Sequence, residues 1–136
     1  MKALIVIDPQ NDFCPGGALA VAGGDEIMPR INAMMADFDL VVLTQDWHPA
    51  GHSSFASSHS GSDPFTVTEM PYGPQVLWPD HCIQGSDGAL FHPALNTDRA
   101  DAIIRKGQTT HGGVRERAAG HPIELLVAQP PLSVAS

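Results

Sequence analysis

The chain has 136 residues, of which 43% are hydrophobic and 16% are charged, as expected for one folded domain with a single core. Its 7 Lys and Arg residues against 15 Asp and Glu residues give a formal net charge of −8, which argues against nucleic-acid binding. No apolar run approaches the roughly 20 residues of a membrane span, so no membrane partner is expected.

The amino-terminal stretch MKALIVID predicts no signal peptide, because its apolar run is short and ends at an acid. We therefore expect a cytoplasmic protein. In that compartment Cys14 and Cys82 are expected to be thiols rather than a disulfide.

The first elements in chain order predict an α/β fold. ALIVID (3–8) is β-branched without alternation, which is typical of a strand buried on both faces of a parallel sheet. DEIMPRINAMMADF (25–38) has apolar residues at helical spacing, and Pro29 places the first helical turn nearby. LVVLTQD (40–46) predicts a second buried strand. This strand–helix–strand order predicts a parallel crossover with flanking helices.

The rest of the chain is less regular. Residues 47 to about 75 are rich in Ser, Gly and Pro, and a loop of this length is usually functional or disordered. ADAIIRKG (100–107) predicts a third strand that ends at Lys106. Beyond about residue 110 the sequence has one strand-like run, 123–127, and no clear helix.

Polar residues stand at the ends of the three predicted strands: Asp8, Asp46 and Lys106. Sites in parallel sheets lie at the carboxyl ends of strands, so these groups could share one crevice. Asp8 is interpreted either as a cap of the next loop or as a general base. Lys106 is either a surface lysine or a cation that orients Asp8 and stabilises negative charge.

Candidate metal ligands gather in two loops. TQDWHPAGHSSF (44–55) contains Asp46, His48 and His52, and LWPDHCIQG (77–85) adds His81. Carboxylate and imidazole bind Zn²⁺, Fe²⁺ and Mn²⁺, and two His with one carboxylate leave positions for water or substrate. The alternative is a solvated loop with a hydrogen-bonded aspartate.

Phe13 and Trp78 lie beside these motifs, either as core residues or as aromatics that sandwich a flat ring. The other histidines lack a comparable setting and are assigned to the surface or to loops: His59, His92, His111 and His121.

Taken together, the motifs resemble those of the nicotinamidases (pyrazinamidases) in the isochorismatase-like cysteine hydrolase superfamily. They are IDPQNDFCPGGAL (7–19), TQDWHPAGHSSFAS (44–57), LWPDHCIQG (77–85), FHPAL (91–95) and IIRKG (103–107). The resemblance covers residues 1–110, the amino-terminal part of such a domain, and leaves 111–136 as an unaligned tail.

The resemblance implies roles for eight residues. They are Asp8 as general base, Lys106 as catalytic lysine, Asp46, His48 and His81 as ligands of one divalent metal (Zn, Fe or Mn), His52 as a ligand or metal neighbour, and Phe13 and Trp78 around the pyridine ring. It also implies hydrolysis of nicotinamide or pyrazinamide, for nicotinamide giving nicotinate and ammonia in NAD salvage. The implied mechanism uses a cysteine nucleophile and a thioester, with the pyridine nitrogen on the metal.

One element of that pattern is missing. The family's downstream A-T-D-x-C-V-type cysteine turn is absent, and Cys14 and Cys82 both lie inside other motifs. We therefore expect a C-terminally truncated isochorismatase-like sheet, from a truncated or frame-shifted reading frame, without useful nicotinamidase activity. The alternatives are a natural short protein that binds metal and pyridine without turnover, and a non-haem iron oxygenase, which has a similar ligand set.

The resemblance also bears on stability. In the family the first strand lies near the centre of the sheet, so here it would become an edge unless 123–127 covers it. Uncovered apolar edge strands favour association. We expect aggregation, partial unfolding or dependence on a partner chain, a homo-oligomer included.

Overall fold

The computed structural model describes residues 1–110, so the predicted tail strand at 123–127 lies outside the described residues. Within these residues the chain forms five strands: β1 (Ala3–Val6), β2 (Leu40–Asp46), β3 (Val67–Met70), β4 (Gly73–Val76) and β5 (Ala102–Lys106). Strands β1, β2 and β5 form a parallel sheet in the order β1-β2-β5. The predicted α/β class and its three parallel strands are confirmed.

The register of this sheet places the strand ends side by side. Leu43 of β2 pairs with Val6 at the end of β1, and Asp46 pairs with Lys106 at the end of β5. Because parallel strands point the same way, the polar residues that follow or end them gather at one edge. This edge carries the candidate site.

The connection between β1 and β2 contains a helix, α1 (Met28–Met34), which continues as a 3-10 turn at Met35–Asp37. The helix is shorter than the predicted span 25–38, although Pro29 does lie in its first turn. Met28 and Met35 are buried against the sheet. Of the other apolar positions in this span, Ile31, Met34 and Phe38 pack partly against the core, whereas Ile27 is exposed. No helix within residues 1–110 is long and apolar enough to cross a bilayer.

The two faces of the sheet differ in burial, contrary to the expectation of strands buried on both faces. One face is in the core, where α1 and the following loops pack on four strand residues: Leu4, Val6, Val41 and Leu43. Their neighbours along the strands, Ile5 and Val42, are only half-buried. On β5, Ile103 and Ile104 are exposed, because among the described residues nothing packs closely over that strand.

The long polar segment after β2 is ordered and contains a hairpin that the sequence did not predict. Strands β3 and β4 pair antiparallel, with Met70 opposite Gly73 across a two-residue turn. Both strands have four residues that alternate between exposed and half-buried. Neither contains an apolar run like those of β1 and β2. The hairpin connects the two loops that carry the histidines.

Candidate metal and active site

Lys106 joins two carboxylates at the carboxyl edge of the sheet. Its Nζ lies 2.8 Å from Asp8 Oδ2 and also donates a hydrogen bond to Asp46 Oδ1. The three strand-end residues that were expected to converge therefore do so. The lysine neutralises one unit of negative charge between two acids that would otherwise repel each other.

Asp8 is fixed by β2 as well as by the lysine. Its backbone N–H donates to Thr44 Oγ1 at 3.1 Å, and the same hydroxyl donates to Asp8 Oδ1 at 2.7 Å. The backbone φ of Asp8 is +50°, a left-handed conformation that is uncommon for residues other than glycine and is often found at functional sites. The carboxylate thus has one oxygen on Thr44 and one on Lys106, in a defined orientation.

Asp46 also divides its two oxygens between different neighbours. While Oδ1 accepts from Lys106, Oδ2 faces Nε2 of His48 at 3.6 Å and Nε2 of His81 at 4.0 Å. Ligand atoms of these three residues all lie within 4.8 Å of one another. They are drawn from the end of β2 and from both histidine loops.

The far nitrogen of each imidazole contacts a backbone carbonyl. Nδ1 of His48 lies 3.1 Å from the carbonyl of Gly107, and Nδ1 of His81 lies 2.7 Å from that of Pro79. A carbonyl can only accept, so Nδ1 must carry the proton in both rings. This leaves Nε2 of each ring as the atom on the side of Asp46 that a neutral imidazole could offer to a metal, which is the arrangement found in metal-binding histidines.

The protonation states suit a cation site. Burial by itself would raise the pKa of Asp46, but contacts with His48 and Lys106 outweigh it and hold that pKa at about 2. Burial lowers the pKa of His81, against the hydrogen bond to Pro79 that raises it. Burial would lower the pKa of Lys106, whereas its hydrogen bonds to Asp46 and Asp8 raise it. At neutral pH Asp46 is therefore a carboxylate, His81 a neutral imidazole and Lys106 an ammonium.

His52 lies next to this group and is held differently. Its ring centroid is 4.5 Å from that of His48. The backbone N–H of Ser54 donates to its Nδ1 at 3.2 Å, and the Ser54 hydroxyl lies 2.7 Å from the same atom. Because Nδ1 accepts a hydrogen bond, the ring proton belongs on Nε2. In this tautomer the lone pair of His52 is on Nδ1 and is already engaged by Ser54.

The two histidine loops are tied together by backbone pairing. His48 pairs with Ile83, and Phe55 pairs with Trp78, both in parallel bridges. The fully buried Phe55 ring packs beside both histidines, with centroid distances of 5.5 Å to His48 and 5.4 Å to His81, and the two histidine rings are themselves 5.1 Å apart. Phe55 thus packs against two rings from different loops. Apart from its position in the loop 44–55, nothing in the sequence pointed to this contact.

The predicted ring-binding aromatics occupy two different settings. The Phe13 centroid is 5.7 Å from the His81 ring, so this aromatic borders the metal-ligand group. Trp78 is half-buried and contacts Phe65 at a centroid distance of 6.0 Å. Their joint action on a flat ring stays a prediction.

Gly107 is a further residue that the sequence reasoning did not single out. Its φ is +67°, and a Cβ built on it would lie 2.3 Å from His48 Cε1. Only glycine allows the backbone to turn here and to approach the imidazole so closely. In the sequence, its position directly after Lys106, at the end of a predicted strand, was the feature that could have indicated a backbone turn beside the site.

Neither thiol in the chain is placed as a nucleophile. Cys14 and Cys82 are both free and buried, as expected for thiols. Burial and the charge of Asp25 raise the pKa of Cys14, and burial with neighbouring carboxylates raises the pKa of Cys82. A raised pKa leaves little thiolate, which is the reactive form.

Comparison with known proteins finds a matching domain family and relatives named as nicotinamidases. The isochorismatase domain matches residues 2–114. A nicotinamidase of Acinetobacter baylyi is 60% identical over 105 residues, which is 77% of this chain and 49% of the relative. The chain thus spans about half the length of the relatives that it matches.

Solved structures agree with this match. An Acinetobacter baumannii nicotinamidase and pyrazinamidase superposes with a TM-score of 0.79 at 58% identity, over 80% of this chain and 53% of that one. A Pyrococcus horikoshii pyrazinamidase in complex with zinc has a TM-score of 0.61 at 39% identity, over 82% of this chain and 54% of that one.

Proposed function

Because this chain belongs to the isochorismatase domain family, we propose that its site binds one divalent metal and a nicotinamide-type amide, as in a nicotinamidase. The observation that supports this most strongly is the convergence at one sheet edge. Lys106 connects Asp8 to Asp46, and Asp46 faces the Nε2 atoms of two histidines.

We assign the metal to Asp46, His48 and His81, with His52 as a neighbour rather than a ligand. Two imidazole nitrogens and one carboxylate oxygen suit Zn²⁺, Fe²⁺ or Mn²⁺ and leave positions for other ligands. A metal bound there would supply Lewis acidity and a position for the pyridine nitrogen. The same set occurs in non-haem iron oxygenases, but the isochorismatase match and the parallel sheet favour a hydrolase.

We propose that Asp8 accepts a proton and that Lys106 orients Asp8 and stabilises negative charge. Lys106 stays an ammonium, because its hydrogen bonds to the two carboxylates raise its pKa. It orients Asp8 through Oδ2, as Thr44 does through Oδ1. An oriented carboxylate can take the proton of an attacking nucleophile, and a fixed ammonium can stabilise the negative charge that develops on an amide oxygen.

The proposed substrate is nicotinamide or pyrazinamide, a flat ring with a carboxamide. The aromatics Phe13 and Trp78 are assigned to the ring, and Phe13 already borders His81. For nicotinamide the products would be nicotinate and ammonia. A role in NAD salvage and a cytoplasmic location are part of the same proposal.

We further propose that these 136 residues by themselves bind but do not hydrolyse the amide. Covalent amide hydrolysis requires a thiolate or an equivalent nucleophile beside its base. The chain has only Cys14 and Cys82, both buried and both with a raised pKa. The second candidate function is therefore binding of metal and pyridine without turnover.

Metal analysis, nicotinamide titration and ammonia assays on the 136-residue chain test these proposals together. We expect about one metal per chain, heat on nicotinamide binding only when metal is present, and no ammonia. The double variant His48→Ala, His81→Ala should lose the metal, whereas His92→Ala, a half-buried histidine outside the group, should keep it. Stoichiometric metal in the double variant would refute the ligand assignment, and ammonia release that Cys82→Ala or Cys14→Ala abolishes would refute the loss of turnover.

A further inference from the structure

Gln10 is a fully buried polar side chain directly behind the metal-ligand group. Its exposed fraction is 0%. Nε2 donates to the backbone carbonyls of Asp46 and Ala89, each at 2.8 Å. Oε1 accepts from the backbone N–H of Asp46, also at 2.8 Å. Both amide protons are used, and both backbone groups of Asp46 are bound by one side chain.

Strand geometry explains why Asp46 needs this partner. The backbone groups of successive strand residues point to alternate sides, and the N–H of Trp47 already donates to Lys106 on the β5 side. The groups of Asp46 therefore point toward β1. Pairing of β1 with β2 ends at Val6 and Leu43, so within residues 1–110 no strand reaches Asp46 on that side. The Gln10 amide takes the place of the missing peptide group.

We propose that Gln10 is a positioning residue for the metal, acting through the backbone of Asp46. The inference rests on the proposed metal function. The Asp46 carboxylate accepts from Lys106 with Oδ1, and its Oδ2, which faces His48, would be the atom available to a metal. Both contacts require the Cα position and the rotamer of Asp46 to be fixed. Groups that orient a ligand commonly change metal affinity about 10- to 100-fold when they are removed.

Gln45 provides a matched control within the same network. It is also buried, and its Nε2 donates to the same Ala89 carbonyl at 2.9 Å. Its Oε1 accepts from Arg105 Nε at 3.1 Å. Its side chain makes no hydrogen bond to the Asp46 backbone among the contacts described for residues 1–110. Loss of Gln45 therefore costs buried hydrogen bonds without releasing the ligand.

The experiment compares Gln10→Met with Gln45→Met, because Met has nearly the same length as Gln but cannot make the hydrogen bonds of its side-chain amide. Zn²⁺ affinity is measured by competition with a chelator, Co²⁺ absorption reports coordination, and urea unfolding of the metal-free chains reports stability. We expect Gln10→Met to bind Zn²⁺ about 10- to 100-fold more weakly and to alter the Co²⁺ spectrum. Gln45→Met should lose stability comparably but keep the parent's affinity and spectrum.

Equal Zn²⁺ affinity in Gln10→Met and the parent chain, or equal losses in both variants, would overturn the inference. Absence of Zn²⁺ binding by the parent chain would instead refute the proposed metal site, and the inference with it. If Gln10→Met does not fold, Gln10→Asn keeps the amide and retracts it by one methylene. It should then show weaker Zn²⁺ binding than the parent, and unchanged binding would overturn the inference in that variant too.

Discussion

The carboxyl edge of the sheet and its outer strand β5 differ sharply in how completely they are built. At the edge, Lys106 contacts both Asp8 and Asp46, and each carboxylate has a second polar contact. Along β5, by contrast, Ile103 and Ile104 are 51% and 55% exposed. The polar chemistry of the site is assembled within residues 1–110, whereas the apolar surface of the neighbouring strand is not covered there.

This difference implies that metal binding and the stability of the fold depend on different parts of the chain. Ligand geometry depends on a few short contacts, which the paired histidine loops and three strand ends supply. Stability depends on apolar area removed from water, at roughly 25 cal/mol per Å², and whole domains are stable by only about 5–15 kcal/mol. A chain of this kind should therefore recognise its metal while unfolding easily.

The largest effect on metal binding is expected at the carboxyl edge of the sheet. Asp46→Ala removes the carboxylate that faces both histidines and pairs with Lys106, so stoichiometric metal binding should be lost. Asp80→Ala is the control, because Asp80 is an exposed acid beside His81 that binds Ser57 instead. Metal content after dialysis measures the result. Equal metal content in the two variants would mean that the carboxyl edge is not the metal site.

The second prediction contrasts the core with the outer strand. Leu43→Ala removes a fully buried side chain of β2 and should lower the free energy of unfolding by about 2–5 kcal/mol. Ile104→Ala removes a side chain that is mostly in water and should cost about 1 kcal/mol or less. Urea unfolding at one protein concentration compares them. Similar losses would show that β5 is covered in solution.

The third prediction tests the close approach of Gly107 to His48. Gly107→Ala should weaken metal binding and also destabilise the fold, because the new Cβ would lie 2.3 Å from the imidazole at a φ of +67°. Gly85→Ala has a φ of +79° but no atom within 4 Å of its Cβ. It should show only the left-handed backbone penalty, about 1–2 kcal/mol. Zn²⁺ titration and urea unfolding separate the two; equal Zn²⁺ affinities would rule out the steric explanation.

The smallest effect concerns association through the exposed strand. An unpaired, apolar strand edge tends to pair with another chain, so the elution volume of the parent protein should depend on its concentration. Ile104→Thr keeps a β-branched residue but makes it polar, and should shift elution toward the monomer. Size-exclusion chromatography over a range of concentrations measures this. A concentration-independent monomer for the parent chain would contradict the expected association.

Several features were predictable from local sequence. β-Branched runs identified β1, β2 and β5, and residue types in short motifs identified the carboxylates and imidazoles of the site. Because parallel strands share a direction, residues that end them were expected to meet, and Asp8, Asp46 and Lys106 do meet. These inferences use properties that a few neighbouring residues already determine.

Tertiary structure alone decided the finer arrangement. The tautomer of His48 follows from the carbonyl of Gly107, which comes after β5 and far from His48 in the chain. The role of Gln10 arises only because β1 ends before it can reach Asp46. Burial likewise depends on what packs above a strand, so similar apolar runs gave a buried β2 and an exposed β5. Such contacts join residues far apart in the chain, and local propensity carries no information about them.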